Sequence, residues 1–421
     1  MLWHSHFLGA FMSPTTLSTW QQIKRDHSPS ALVAAVVAIL AGYGGPLAIV
    51  IGAAQAGQLS SAQTTSMLWA LCVSFGLAGF VLSLKTRAPI ITAWSTPGAV
   101  FLTGVLAGVP YNEAVAGFVV ASAVIFVISV LGAFDWVMNK IPKTIASALL
   151  AGILFRFGIN TFTELGAHTA LMLTMLVTYL IGKRLFARYA VLAVLLVGCA
   201  YVFGVQGDVV PAVPLHLATP VFTMPVFTWS AVVNIGLPLA LITLTGQQMT
   251  GIAVLRSSGF DAARVPAKPL VALTSFLALI TAPFGNFGIN LAAITAAICT
   301  EKESHPDPER RYIAGLWCGV FSMILGSFAG VLVLFFLGLP KVLITILAGL
   351  ALLGAIMNGL TNAMNTTHSA FEREAALMTF MTCASGVTLW GLGSAFWGIV
   401  LGCAAHVLLT HAIPHRFAST N

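Results

Sequence analysis

Thr281-Ala-Pro-Phe-Gly-Asn-Phe-Gly-Ile-Asn290 runs directly into Leu291-Ala-Ala-Ile-Thr-Ala-Ala-Ile-Cys299. One Pro, two Gly and two Asn interrupt an apolar region there. A run of helix formers then resumes, but at only half of the roughly 20 residues that a bilayer crossing needs. Non-helical backbone is tolerated at membrane depth only where it is buried in protein or lines a cavity. Asn290 reads as the N-cap of the short helix. The N–H groups behind it would offer the positive end of a helix dipole to an anion or polar ligand. A second stretch of this kind is Ala88-Pro-Ile-Ile-Thr-Ala-Trp-Ser-Thr-Pro-Gly-Ala-Val-Phe-Leu-Thr-Gly104. It opens with an extended segment over 89–94. It then enters a short helix with Thr96 as N-cap and Pro97 at the first helical position. Two broken segments at corresponding places in two halves point to a transporter binding site.

The composition sets the class. Of 421 residues, 58% are hydrophobic and 7% charged, whereas soluble domains carry about 25% charged residues. The chain reads as an all-α polytopic membrane protein. Fourteen transmembrane spans are expected at 30–53, 64–84, 89–107, 112–134, 142–160, 167–183, 189–206, 231–255, 268–284, 287–300, 311–338, 341–359, 374–390 and 393–412. With the N-terminus inside, every Lys and Arg except Arg156 and Lys341 falls on the cytoplasmic side, as the positive-inside rule requires. That distribution, rather than nucleic-acid binding, accounts for the net charge of +7. Residues 1–28 lack a signal-peptide pattern and read as a cytoplasmic tail, as do 414–421. The loop 207–230 has no basic residue and reads as an outside crossover. Pro142-Lys143 precedes Ala151-Gly152 much as Pro340-Lys341 precedes Ala348-Gly349. Each pair opens the fifth span of a seven-span half, with Lys143 inside and Lys341 outside. Joined to the matched broken spans 3 and 10, this predicts two inverted seven-span repeats.

Few residues could carry chemistry. All twelve acidic residues lie in tails, loops or span ends, which argues against a cation pump and suits an anionic substrate. Glu113 begins the fourth span, where a carboxylate complements the helix dipole; a proton relay is its other reading. Arg156 is an intramembrane arginine and so a functional candidate, although its stem could snorkel to the interface. These two are the proton-coupling candidates. In the eighth span, Gln247 and Gln248 point about 100° apart on a helix, so one can face a cavity. A buried amide could hold a carboxylate without fixed charge, or could join helices. Tyr43 lies beside a Gly-Pro break in Ala41-Gly-Tyr-Gly-Gly-Pro46, as a ring for substrate or for core packing. The six cysteines form no CxxC pair and read as small buried apolar residues. His305 and Asp307 lack a second histidine for a metal. No metal, cofactor or catalytic motif is expected.

Thr92-Ala-Trp-Ser-Thr-Pro-Gly-Ala99, Gly152-Ile-Leu-Phe-Arg-Phe-Gly158, Gly288-Ile-Asn-Leu-Ala-Ala-Ile-Thr-Ala-Ala-Ile-Cys299, His305-Pro-Asp-Pro-Glu-Arg-Arg-Tyr312 and Gly393-Ser-Ala-Phe-Trp-Gly398 resemble the bacterial benzoate membrane transport protein family, the benzoate/proton symporters. The resemblance runs from about residue 30 to 412. Its architecture is similar to that of uracil/xanthine permeases and sulfate-permease-like anion transporters. The resemblance implies a core domain of spans 1–4 (29–139) and 8–11 (231–338), and a gate domain of spans 5–7 (140–206) and 12–14 (339–413). It further implies elevator-like motion, often in a homodimer, in the bacterial inner membrane with both termini cytoplasmic. Uracil permeases carry a glutamate where Phe287 aligns, and another in span 8. A phenyl ring at 287 and amides at 247 and 248 suit an aromatic carboxylate better than a nucleobase. The expected cargo is therefore benzoate with a proton. Its carboxylate would meet Ser95, Thr96, Gly98, Gly288, Asn290, Gln247 and Gln248, and its ring would meet Tyr43, Trp94 and Phe287. A nucleobase or inorganic anion on the same fold, or an anion channel, are the alternatives.

Overall fold

The computed structural model describes residues 19–134, 136, 142–208, 213–390 and 392–410. Most of the N-terminal tail, the whole tail 414–421 and the side chain of Arg156 lie outside them. Among the described residues, six helices are long and apolar enough to cross a membrane: Pro29–Ala56, Ser61–Thr86, Tyr111–Val130, Ala231–Ser257, Ala267–Phe284 and Lys341–Ala363. A seventh candidate is the pair Pro308–Ser327 and Ala329–Leu337, bent by 64°. Other helices fill further expected segments, among them Lys143–Ala167, Thr169–Leu185, Ala370–Ser385 and Ser394–Thr410.

Local chemistry sets the helix ends. Ser60 and Gln63 form a capping box at the start of Ser61–Thr86, and Ser369 and Glu372 form one at the start of Ala370–Ser385. Each box satisfies two backbone donors that a helix start leaves open. At the Tyr43-Gly-Gly-Pro46 break, Pro29–Gly44 gives way to Pro46–Ala56 across Gly45. Ala231–Ser257 is not the regular helix expected from sequence. Its segments Ala231–Gly236 and Leu244–Gln248 are π-helical. Such turns are uncommon and often mark functional positions, and they change the directions in which Gln247 and Gln248 point.

The two broken stretches meet at the centre of the fold. Strand β1, Thr92–Trp94, pairs antiparallel with strand β2, Ile289–Leu291, in the register Thr92↔Leu291, Ala93↔Asn290 and Trp94↔Ile289. The ladder is extended at both ends, by Ser95 N–H to the Gly288 carbonyl at 3.2 Å and by Ala292 N–H to the Ile91 carbonyl at 2.9 Å. Each strand leads into a half-helix, Thr96–Val105 or Ile294–Thr300. Because the strands are antiparallel, the half-helices leave in opposite directions with their N-termini near the crossing. Two expected caps move by a few residues. Ser95, not Thr96, caps the first half-helix, its Oγ accepting from Gly98 N–H at 3.1 Å. Pro97 therefore falls at the second helical position. Asn290 lies within β2, and Ala293 precedes the second half-helix without a side-chain cap. Pairing the backbone at 289–291 takes Asn290 out of cap geometry.

The helices pack as two sets. Pro29–Ala56, Ser61–Thr86, Tyr111–Val130, the two half-helices and the segments from Ala231 to Leu337 pack mainly on one another. Lys143–Ala167, Thr169–Leu185, Ala190–Tyr201, Lys341–Ala363, Ala370–Ser385 and Ser394–Thr410 form the second set. Within the first, Ser61–Thr86 and Tyr312–Ser327 are in near-backbone contact. A Cβ on Gly319 would lie 2.7 Å from the Gly76 carbonyl oxygen, and one on Gly76 would lie 2.8 Å from that of Gly319. Close approach through small residues is how helices associate where no water drives them together. Gly319→Val is expected to cost about 1–3 kcal/mol by overpacking, read as a lower melting temperature of the purified protein; an unchanged melting curve would contradict this contact.

Candidate functional site

The crossing is built from short polar groups that serve the backbone. Ser95 is fully buried. Its Oγ accepts from Gly98 N–H and, at 3.4 Å, from the Thr243 hydroxyl, so its own hydrogen remains available as a donor. Gly98 has no room for a side chain, since a Cβ there would lie 2.8 Å from both Leu239 Cδ1 and Ser95 Oγ. Gly288 adopts φ +136, a conformation that disfavours other residues. Its N–H donates to Asn286 Oδ1 at 2.9 Å. The Asn290 amide satisfies its neighbours when its oxygen faces Ser95 N–H and its nitrogen the Leu291 carbonyl, both at 3.1 Å.

The two glutamines divide the roles that sequence left open between them. Gln248 is fully buried. Its Nε2 donates to Thr274 Oγ1 at 3.1 Å and to the Ile289 carbonyl at 3.5 Å, and its Oε1 accepts from Leu291 N–H at 3.3 Å. It therefore bolts the π-turn to β2. Gln247 is half-buried and its side chain makes no hydrogen bond among the described residues, which leaves a donor and an acceptor for a ligand.

Beside β1 lies an aromatic cluster. Trp94 meets Tyr43 edge-on with centroids 4.9 Å apart and Phe75 at 5.6 Å, and Tyr43 lies 6.3 Å from Phe75. The Tyr43 hydroxyl donates to Cys72 Sγ at 3.2 Å. These three rings, with Gly42, Thr295 and Ser322, line a cavity of about 30 Å³. An apolar cavity of roughly 150 Å³ is what a benzene ring fills, so the rings must part to admit an aromatic ligand. No lining residue is charged. The half-helix starts nearby supply partial positive charge.

Of the candidates, Tyr43 and Trp94 line this cavity; Ser95, Thr96, Gly98, Gly288, Asn290, Gln247 and Gln248 are not among its lining residues, and neither are Phe287, Glu113 and Arg156. Phe287 is fully buried and packs edge-on against Phe118 at 6.2 Å, on the helix Tyr111–Val130. Glu113, in the first turn of that helix, accepts from the Thr228 hydroxyl at 2.8 Å. Thr228 Oγ1 in turn accepts from Ala231 N–H at 3.1 Å, so Glu113 ties the crossover to two helix starts. Arg156 lies on Lys143–Ala167, with its side chain outside the described residues. Sequence reasoning passed over Phe75, Thr243, Thr295 and Ser322. Thr243 and Thr295 stood inside stretches already singled out, whereas Phe75 and Ser322 sit on unbroken apolar helices that give no local signal. The His305–Tyr312 motif is structural. Arg311 donates to the carbonyls of Thr300 at 2.7 Å and His305 at 2.8 Å, closing the loop behind the second half-helix.

This apolar helical protein, with two half-helices joined by an antiparallel strand crossing, shares its fold with solved structures of membrane transport proteins. The chain aligns with the structure of SLC26A9 at a TM-score of 0.63 and 14% identity, covering 90% of this chain and 65% of that one. It aligns with the transmembrane domain of the cyanobacterial bicarbonate transporter BicA at 0.56 and 14%, covering 90% and 97%. The model of the benzoate membrane transport protein family matches residues 25–408, and the chain belongs to that family, one of transporters rather than enzymes. It is 40% identical over 389 residues to the benzoate membrane transport protein of Acinetobacter baylyi, covering 92% of this chain and 97% of the relative. It is 39% identical over 382 residues to the Escherichia coli inner membrane protein YdcO, covering 90% and 96%.

The contrast between the glutamines is testable. Gln248→Leu leaves buried groups of Thr274 and β2 unpaired and is expected to cost about 1–3 kcal/mol of stability. Gln247→Leu should leave the stability within about 0.5 kcal/mol of wild type. Equal melting curves for the two variants would remove the clamp role.

Proposed function

We propose that this protein is a secondary active transporter that imports benzoate or a closely related aromatic carboxylate together with a proton. The observation that carries the reading is the aromatic cluster of Tyr43, Phe75 and Trp94 set beside the paired half-helix starts. Parted rings offer edges and faces to a phenyl group. The hydroxyls of Ser95 and Thr96 and the side-chain amide of Gln247 offer neutral donors to its carboxylate. The name of the Acinetobacter relative supports the same ligand. Phe287 is better assigned to packing beneath β2, and Gln248 and Asn290 to holding the crossing in shape.

The reading includes fourteen spans in two inverted repeats, with both termini cytoplasmic. The opposite courses of the half-helices and the basic residues clustered at 85–87, 264–268 and 302–311 support it. The two packing sets support a core (29–139 and 231–338) that moves past a gate (140–206 and 339–413) in an elevator-like cycle, in a homodimer. Moving a lone anion inward against an inside-negative potential costs about 2.3 kcal/mol per 100 mV. A co-transported proton cancels that term. With Glu113 engaged as a helix-start ligand of Thr228, we assign the proton to the substrate's own carboxyl group.

The test is radiolabelled benzoate uptake into proteoliposomes, with pH gradient and voltage imposed separately and protein-free liposomes run in parallel. Saturable accumulation driven by an inward proton gradient is expected. Uptake that ignores the gradient would indicate a channel or uniporter. Competition by sulfate, bicarbonate or uracil but not by benzoate would replace the substrate. Tyr43→Ala and Gln247→Ala should each raise KM about tenfold, the equivalent of roughly 1.4 kcal/mol; wild-type KM in both would move the site elsewhere.

A further inference from the structure

A second, larger cavity of about 260 Å³ opens where the C-terminal end of Thr96–Val105 meets Ala231–Ser257, Lys143–Ala167, Ala370–Ser385 and Ser394–Thr410. Its floor is apolar, formed by buried Phe101 and Ile153 with Val105 and Phe396. Its other wall is polar and neutral: Ser230, Asn234, Thr388 and Ser394. Asn234 stands in that wall, with Oδ1 accepting from Gly393 N–H at 3.1 Å and Nδ2 donating to Ser230 Oγ at 3.0 Å. Ser230 and Thr388 are exposed, so the hydroxyls lie at the mouth. An apolar floor with a few polar groups is the usual make-up of a small-molecule pocket, and the volume exceeds the roughly 150 Å³ that holds benzene.

We infer that this cavity is a second binding site for an aromatic monocarboxylate, on the face that carries the 207–230 crossover, loaded before the molecule reaches the aromatic cluster. The choice of ligand rests on the proposed benzoate reading. The ring lies on Phe101, Ile153 and Phe396. The carboxylate stays at the mouth with Ser230 and Thr388, where water still reaches it and its charge is not fully desolvated. Neutral donors hold an anion weakly enough to release it, as a site on a transport path requires. The half-helix Thr96–Val105 links this site to the central one, over about 15 Å at 1.5 Å per residue.

The full-length protein is tested in right-side-out vesicles. Ser230→Cys, with Thr388→Cys as a second reporter, is treated with a membrane-impermeant maleimide, and labelling at the new position is read by peptide mass spectrometry. Benzoate uptake is measured in the same vesicles. Saturating benzoate is expected to slow labelling at least about fivefold, as occupancy at several times Kd predicts, and to do so equally when Tyr43→Ala is added. Ser230→Trp, which fills the mouth, should raise the uptake KM at least about fivefold with kcat retained. Labelling that ignores benzoate in vesicles that accumulate it overturns the second site and leaves the transport reading standing. Protection that disappears with Tyr43→Ala, or that octanoate gives as well as benzoate, overturns it too. Protection without any protein-dependent uptake keeps the site and removes the transport reading.

Discussion

Backbone N–H and C=O groups cannot be left unpaired in hydrocarbon, and the centre of this protein is arranged around that constraint. Two chain segments stop being helical in the middle of an apolar fold. Each would expose unpaired peptide groups if it stood alone. Pairing β1 with β2 removes most of that cost, and side chains meet the remainder. Gln248 binds both Ile289 and Leu291. Ser83 Oγ donates to the Ile90 carbonyl at 3.1 Å. Thr92 Oγ1 donates to the Phe75 carbonyl at 2.5 Å. What remains for a ligand is the part of each half-helix start that no side chain covers.

The neutral character of the central cavity follows from the same setting. A fixed cation beside the half-helix starts would compete with their dipoles for the anion and would bind it too firmly to let go. A fixed carboxylate would repel it. Rings and amides avoid both difficulties. On the proposed reading, the rings would hold a phenyl group by contact area, and the neighbouring Gln247 amide would hold a carboxylate by hydrogen bonds that strengthen where water is excluded. The small volume among Tyr43, Phe75 and Trp94 means that, on the proposed reading, an aromatic ligand would enter only when the rings move, which would join recognition to conformational change.

Charged residues are active at one end of the fold. Arg87, with φ 55, ends Ser61–Thr86 and donates to the Tyr312 hydroxyl and to Gln22 Oε1, both at 2.5 Å. The Tyr312 hydroxyl donates to Asp26 at 3.1 Å, and Arg264 donates to the Thr86 carbonyl at 3.1 Å. The helix Thr19–Asp26, the turn after Thr86 and the 301–311 loop are thereby fastened together. The half-helix Ile294–Thr300 is thus braced from behind by the loop that Arg311 closes, as it is braced in front by β2.

The sequence by itself determined that the protein is a membrane helical protein with two interrupted segments. Composition and the placement of Pro, Gly and Asn are local properties that survive without a fold. It also marked Tyr43, Trp94, Ser95 and the glutamine pair, because polar or aromatic residues beside a helix break are conspicuous in apolar surroundings. Ser95 rather than Thr96 as cap, and Asn290 in a strand rather than at a cap, turned on which peptide groups found partners across the crossing. Phe287 turned towards Phe118, and Gln248 rather than Gln247 became the clamp, for the same reason. A strand of three residues has no register of its own. Thr92 meets Leu291 only after helices between them have packed, so the partner that each of these residues found was decided by long-range contacts that no window of sequence contains.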